Sequence, residues 1–185
     1  MKLIKPKFWD YNKISFYSII LFPVSVLLAA INLIKFLIIK KRKYSIPVIC
    51  VGNIYLGGTG KTPLSIELFN ILKTFKKKPV FIRKKYKAFQ DEINLLKQTG
   101  PTYESFERAK ALTEAIQNKF EVAILDDGFQ DLSIKKDLSI VCFNEKQGIG
   151  NGLLIPAGPL RENLSALNRA DFTVINGKKK YKFRK

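Results

Sequence analysis

The 185 residues contain no histidine, so histidine-ligated metal sites, Ser-His-Asp triads and histidine general bases are excluded within them. Acid–base chemistry falls to carboxylates. Cysteine is scarce too: Cys50 and Cys142 lie inside apolar runs without metal-ligand spacing and are expected to be buried, reduced thiols. Negative charge is sparse, with 15 Asp and Glu against 33 Lys and Arg and a formal net charge of +18. At 46% hydrophobic and 12% aromatic residues, the chain nevertheless has too much core-forming material for a disordered basic tail.

The excess charge sits at the two ends. Residues 1–50 hold nine basic and one acidic side chain, whereas residues 178–185 hold six basic and none acidic. The stretch between them has the balance of an ordinary globular domain. This divides the chain into an apolar, basic membrane-anchoring segment (1–44), a core lobe (45–177) and a basic tail (178–185).

No charged residue occurs from Ile14 to Ile34, a length comparable to the roughly 20 apolar residues that cross a bilayer core. Trp9, Tyr11, Phe16 and Tyr17 supply interfacial aromatics. Pro23 and Asn32 interrupt the run, and Lys40-Lys41-Arg42-Lys43 follows it in place of a small-residue cleavage site. Because both flanks are basic, charge does not choose a direction of crossing. An interfacial helix or broken hairpin in an anionic leaflet is favoured over a single span, and a buried core helix is the third reading.

Beyond the anchor, β-branched runs at Val48–Val51, Val80–Ile82, Val122–Leu125, Ser139–Phe143 and Thr173–Ile175 read as strands buried on both faces. Helical spacing over Pro63–Phe75 and Ser105–Asn118 alternates with them, and no internal repeat is present. The expected fold is α/β, a mostly parallel sheet with helices on both faces. The first strand runs into Gly57-Gly58-Thr59-Gly60-Lys61-Thr62 and then a helix. Such glycines turn backbone N–H groups toward a phosphate, Lys61 would reach the β and γ phosphates, and Thr62 would offer its hydroxyl to Mg²⁺. Tyr55 stands where the strict phosphate-loop pattern has glycine. Asp126-Asp127-Gly128 ends another strand at the sheet's carboxyl edge, where a carboxylate can hold Mg²⁺. Asp91-Glu92 is read as part of a loop with Arg83, Lys84, Lys85 and Lys87 that leaves the same edge. A turn-rich loop spans Gly148–Gly152 and Leu154–Glu162.

These motifs resemble the tetraacyldisaccharide 4'-kinases, which phosphorylate the lipid A disaccharide precursor on the inner face of the bacterial inner membrane. The likeness rests on Pro47–Asn53 running into Gly57–Pro63, on Asp126-Asp127-Gly128-Phe129-Gln130, on Gly150-Asn151-Gly152 with Leu154–Glu162, and on Ala170-Asp171 near Val174–Gly177. The apolar, basic amino terminus with Phe8-Trp9 matches as well. The resemblance implies a P-loop NTPase-like fold, ATP and Mg²⁺ as cofactors, Gly57–Thr62 on the nucleotide, and Thr62, Asp126 and Asp127 near the metal. It also implies Lys61 and Asp91 in catalysis, Asp91 being the base, with Arg108, Arg161 and Glu162 near the lipid substrate; Arg83, on the basic stretch at the same sheet edge, is a further substrate candidate. The chain departs from the family pattern at Ile93, where proline is usual, at Arg83-Lys84-Lys85-Tyr86, and at Asp131, where histidine is usual.

The family continues for a further lobe that carries a histidine partner to the base. The chain is therefore expected to be a divergent or truncated member, served by a separate carboxyl-terminal lobe or else a catalytically incomplete nucleotide-binding protein. Partners expected from the charge and the resemblance are the lipid A precursor and an anionic membrane surface at the cytoplasmic face of the inner membrane. Nucleic acid is not expected, because basic and aromatic residues do not interleave as in a recognition module.

Overall fold

The β-branched runs form five of the six strands of one sheet in a computed structural model, which describes residues 5–11, 13–85 and 90–178; the last run lies at the sheet edge and is only half-buried, not buried on both faces. The strands are β1 (Val48–Gly52), β2 (Pro79–Lys84), β3 (Thr102–Ser105), β4 (Val122–Asp126), β5 (Leu138–Asn144) and β6 (Phe172–Asn176). They lie in the order β3-β2-β4-β1-β5-β6, and every neighbouring pair is parallel. Parallel pairing requires crossovers, and the helices that supply them bury both faces. Among the described residues α1 (Phe16–Ile38) precedes the sheet, and the crossover helices are α2 (Lys61–Thr74), α3 (Gln90–Thr99) and α4 (Arg108–Gln117).

Strand alternation divides the core. Val48, Cys50, Val80, Ile82, Ala123, Leu125 and Val141 face α4, which contributes Ala111, Leu112 and Ala115. Val51, Phe81, Ile124 and Cys142 face the other way, toward Phe69 of α2 and Leu96 of α3. Phe69 and Phe81 stack with ring centroids 4.7 Å apart. Burying a side chain of this size stabilises the fold by roughly 1.5–3 kcal/mol. Cys50 and Cys142 are free and buried, and burial raises their thiol pKa values to about 11 and about 12. They are inert core residues.

Register sets the working edge. Val51 of β1 and Arg83 of β2 both pair with Asp126 of β4, so the loop after Gly52, the Arg83 side chain and the Asp126 carboxylate meet at the carboxyl ends of three adjacent strands.

Several local readings change. The helix placed from Pro63 begins at Lys61, which leaves Pro63 in the first turn, where its missing N–H costs nothing. Ser105 ends strand β3 instead of opening a helix, and α4 starts at Arg108. Asp91 and Glu92 stand in the first turn of α3, not in a loop. The basic tail, beyond Lys178, lies outside the described residues, as do Tyr86 and Lys87.

Pro23 does not break the amino-terminal helix: α1 is continuous for 23 residues, about 34 Å at 1.5 Å per residue. Its pattern is inverted relative to a water-soluble helix. Ser18 and Ser25, two turns apart on one face, are buried, while Phe16, Tyr17, Leu27, Leu37 and Ile38 are exposed. Ser25 Oγ donates to Leu154 O at 2.9 Å and accepts from Ala157 N at 3.0 Å. Asn151 Nδ2 donates to Ser18 Oγ at 3.1 Å, and Trp9 Nε1 donates to Pro156 O at 3.0 Å. The turn-rich loop thus holds α1 by its polar face.

Gly52 leaves β1 against Phe129: a Cβ built there would lie 2.5 Å from Phe129 Cβ and 3.0 Å from its backbone nitrogen. Gly52→Ala is expected to lower stability by about 1–3 kcal/mol. The check is a urea melt, in which an unchanged midpoint would contradict the close approach.

Candidate functional site

The strand-to-helix connection after β1 is built from inside. Asn53 is fully buried, and its Nδ2 lies within donating distance of Tyr55 O at 2.6 Å, Thr59 Oγ1 at 3.0 Å and Gly57 O at 3.2 Å. This staple curls residues 53–59 into a loop with Gly57 and Gly58 exposed at its tip. Gly60 closes it at φ +85°, a left-handed conformation that glycine adopts without penalty, and α2 starts at the next residue. Lys61 and Thr62 therefore stand at the helix N-terminus, beside backbone N–H groups suited to an anion.

Asp126 terminates β4 with no solvent exposure. Its Oδ2 accepts from Arg83 Nη1 at 2.6 Å and Thr62 Oγ1 at 3.3 Å, and its Oδ1 accepts from Ser65 Oγ at 3.0 Å. Arg83 also pairs with Glu92 of α3. Burial pushes the Asp126 carboxyl up against the opposing pull of Arg83, Ser65 and Lys61. Asp127 has φ 55°, a turn conformation that Asp tolerates better than most residues. Its carboxylate meets Arg161 Nη1 at 3.2 Å and Lys61 Nζ at 3.8 Å. Burial acts to raise Asp127 as well, but Lys61, Arg161 and Arg108 outweigh it and hold it below the usual range.

Of the residues expected at a lipid subsite, Arg83, Arg108 and Arg161 converge on the two aspartates, whereas Glu162 stands one residue further out. Arg108, buried at the start of α4, donates to the backbone carbonyl of Asp127 and to Asp131 Oδ2 at 3.3 Å. Glu162 accepts from Gln130 Nε2 at 3.1 Å and pairs with Arg169. Lys61, Thr62, Arg83, Asp126, Asp127, Arg108 and Arg161 are brought together. Asp91 is not: it is exposed on α3 and has no side-chain hydrogen bond with another described residue, although its neighbour Glu92 joins the network through Arg83. A Cβ built at Gly58 would meet open space, with nothing within 4 Å.

Sequence reasoning missed Ser65 and the structural role of Asn53. Ser65 lies three residues after Thr62, on the same helical face, and that spacing is the signal that could have found it. Among the described residues no cluster of three or more His, Cys, Asp or Glu could hold a metal. A magnesium ion does not need one, since it is usually held by one or two carboxylates together with phosphate oxygens. Thr62 Oγ1 and Asp126 Oδ2, two hard oxygen donors 3.3 Å apart, suit that ion.

A parallel sheet with a glycine loop running into a helix, a lysine at its end and a buried aspartate on the adjacent strand defines the phosphate-loop class of α/β proteins. The family model of LpxK, tetraacyldisaccharide-1-P 4'-kinase, matches residues 17–185, and the chain belongs to this family. A tetraacyldisaccharide 4'-kinase of Pelagibacter ubique is 50% identical over 180 residues, covering 96% of this chain and 56% of the relative. Its counterpart in Rhodopseudomonas palustris is 32% identical over 94% of this chain and 55% of the relative. A crystal structure of the "apo" form of LpxK from Aquifex aeolicus in complex with ATP superposes with a TM-score of 0.73 at 30% identity, over 85% of this chain and 58% of that one. The chain thus spans a little over half the length of the relatives it matches.

Asp131, where the family pattern has histidine, accepts from Ser133 Oγ at 2.6 Å as well as from Arg108. Burial would raise its carboxyl, but these bonds and the Arg108 charge hold it below the usual range. An unfolded Asp ionises near pH 3.9, so the stabilisation is fully present above that value and is lost as the pH falls through the lower folded one. Asp131→Asn is expected to cost about 1 kcal/mol at neutral pH. The difference between the two urea midpoints should narrow below pH 4, and a constant difference would contradict the ion pair.

Proposed function

We propose that the chain transfers the γ-phosphoryl group of ATP to the 4'-hydroxyl of a tetraacyldisaccharide 1-phosphate, at the cytoplasmic face of the inner membrane. The observation that carries this reading is the buried Asp126 carboxylate beside Thr62 at the mouth of the glycine loop, in a chain of this family. Residues 1–44 would anchor the protein and residues 45–177 would form the kinase core. The inverted pattern of α1, with serines buried and large apolar side chains exposed, supports a lipid environment for that helix.

In this reading Gly57–Thr62 cradle the ATP phosphates with backbone N–H groups, and Lys61 neutralises charge on the β and γ oxygens. Thr62, Asp126 and Asp127 would hold Mg²⁺, which supplies further neutralisation of the transferring group. Arg83 bonds to Asp126 in the resting arrangement and would share or yield that carboxylate. Asp91 would accept the proton of the sugar hydroxyl; its exposed position on α3 leaves it available to an arriving lipid. Arg108, Arg161 and Glu162 line the polar wall beside Asp127 and would orient the acceptor. Phosphoryl transfer asks mainly for positioning and electrostatics, which these groups provide.

A second reading, nucleotide binding without turnover in these residues alone, is favoured by the absence of histidine and by the lack of any side-chain hydrogen bond between Asp91 and another described residue. The test is the purified chain in detergent with Mg-ATP and the tetraacyl disaccharide. Phosphorylated product from the wild type and none from Lys61→Ala, a loss on the order of 10²-fold or more, is the expected result. ATP binding without product would favour the second reading, and activity retained in Lys61→Ala would overturn the first.

A further inference from the structure

At the carboxyl end of α1 the chain turns back along residues 133–135: Arg42 N donates to Ser133 O at 2.7 Å, and Lys135 N donates to Arg42 O at 2.8 Å. Between these segments and the residues before β6 lies a hollow of about 200 Å³, walled by Lys41, Lys135, Lys136 and Arg169, with Asp131 its single acidic side chain. Its charge is unbalanced. Asp131 is committed to Arg108 and Arg169 to Glu162, whereas Lys41, Lys135 and Lys136 form no ion pair with another described residue.

Lys136 is half-buried, and burial lowers its pKa. Its ammonium donates to Phe129 O at 2.7 Å and lies 5.4 Å from the Phe129 ring centroid, while the Arg169 guanidinium lies 4.8 Å from the same centroid. One carbonyl uses one of three ammonium protons, which leaves donors for an anion. Asp131 and Glu162 favour the charged form of Lys136 from a distance, yet burial outweighs them, and an anion bound at its free N–H groups would offset that cost.

Two further observations describe the anion. Lys41 and Arg169 each lie 5.6 Å from the ring of Phe36, in the last turns of α1 beside the exposed Leu37 and Ile38, so the hollow opens at the end of the apolar helix. It also shares a polar chain with the carboxylate site: Arg169 pairs with Glu162, Glu162 accepts from Gln130 at 3.1 Å, and Gln130 Oε1 accepts from Arg161, which bonds Asp127 at 3.2 Å.

We infer that this hollow binds a phosphate ester carried on a lipid, held by Lys41, Lys135, Lys136 and Arg169 while the lipid chains lie along α1. The chemistry is common to the phosphate already present on the acceptor and to the headgroup of an anionic phospholipid. The inference rests on the reading of α1 as the membrane element.

The test is co-sedimentation of the full chain with phosphatidylcholine vesicles that are undoped, or doped with tetraacyldisaccharide 1-phosphate, with the same disaccharide lacking its phosphate, or with phosphatidylglycerol. Wild type should bind the undoped vesicles through α1 and gain affinity with a phosphate-bearing dopant. Lys41→Gln/Lys135→Gln, both exposed and compatible with folding, should reduce that gain about fivefold per lysine, and Lys136→Gln should do so at its single site. Lys73→Gln, on the distant helix α2, should keep it. A gain with the disaccharide phosphate alone assigns the site to the acceptor, and an equal gain with phosphatidylglycerol assigns it to the headgroup. A gain that survives in the double variant, or a wild type that gains nothing from either phosphate, overturns the inference. A wild type that sediments with no vesicle overturns the reading of α1 instead.

Discussion

The site depends on one buried carboxylate. Asp126 has no solvent exposure, and an isolated charge in that position would cost several kcal/mol. It is tolerated because Arg83 from β2 and Thr62 and Ser65 from α2 all bond it. The same bonds tie the two strands to the helix that follows the glycine loop, so the donors that stabilise Asp126 also place Lys61 and Thr62. The parallel register that sets Val51, Asp126 and Arg83 side by side is the precondition for all of this. Asp127 then turns out of the strand with positive φ and collects Lys61 and Arg161, which makes two adjacent carboxylates electrostatically unlike.

A second organising contact is the polar seam beneath α1. A 23-residue apolar helix has little reason to adopt one orientation on a protein surface, yet Ser18 and Ser25 fix it through Asn151, Leu154 and Ala157. The loop that receives these bonds continues into Arg161 and Glu162, which reach Asp127 and Gln130. One loop therefore joins the exposed apolar helix to the carboxylate site. In the proposed function that juxtaposition would present the reacting hydroxyl to the nucleotide while the acyl chains remain in the bilayer.

Much of this was legible in the sequence, for physical reasons that differ by element. The strands β1, β4 and β5 are short β-branched runs nearly unbroken by polar residues, the signature of burial on both faces, and the glycine loop and Asp126-Asp127 announce themselves by position after such runs. Strand β3 was hidden because Thr102-Tyr103-Glu104-Ser105 is polar and half-buried, and only pairing with β2 makes it a strand. Helix α3 looks like loop in the sequence because Asp91-Glu92 stands next to a lysine-rich stretch suited to solvated surface, whereas Ile93 and Leu96 supply the buried face. Arg83, Arg108 and Arg161 were picked out as lipid contacts, and their convergence on the two aspartates is a tertiary fact that no spacing in the chain encodes. The same holds for the buried serines of α1, which read along the chain only as small gaps in an apolar run.

In the proposed function, Asp126 with Thr62 forms the metal-linked half of a nucleotide site. Equilibrium titration of ATP into the chain and into Asp126→Asn, each with and without Mg²⁺, tests it most directly. Mg²⁺ is expected to tighten ATP binding to the wild type, and Asp126→Asn, shown to be folded by its circular dichroism, to bind ATP without that tightening. A full Mg²⁺ effect retained in Asp126→Asn would contradict it.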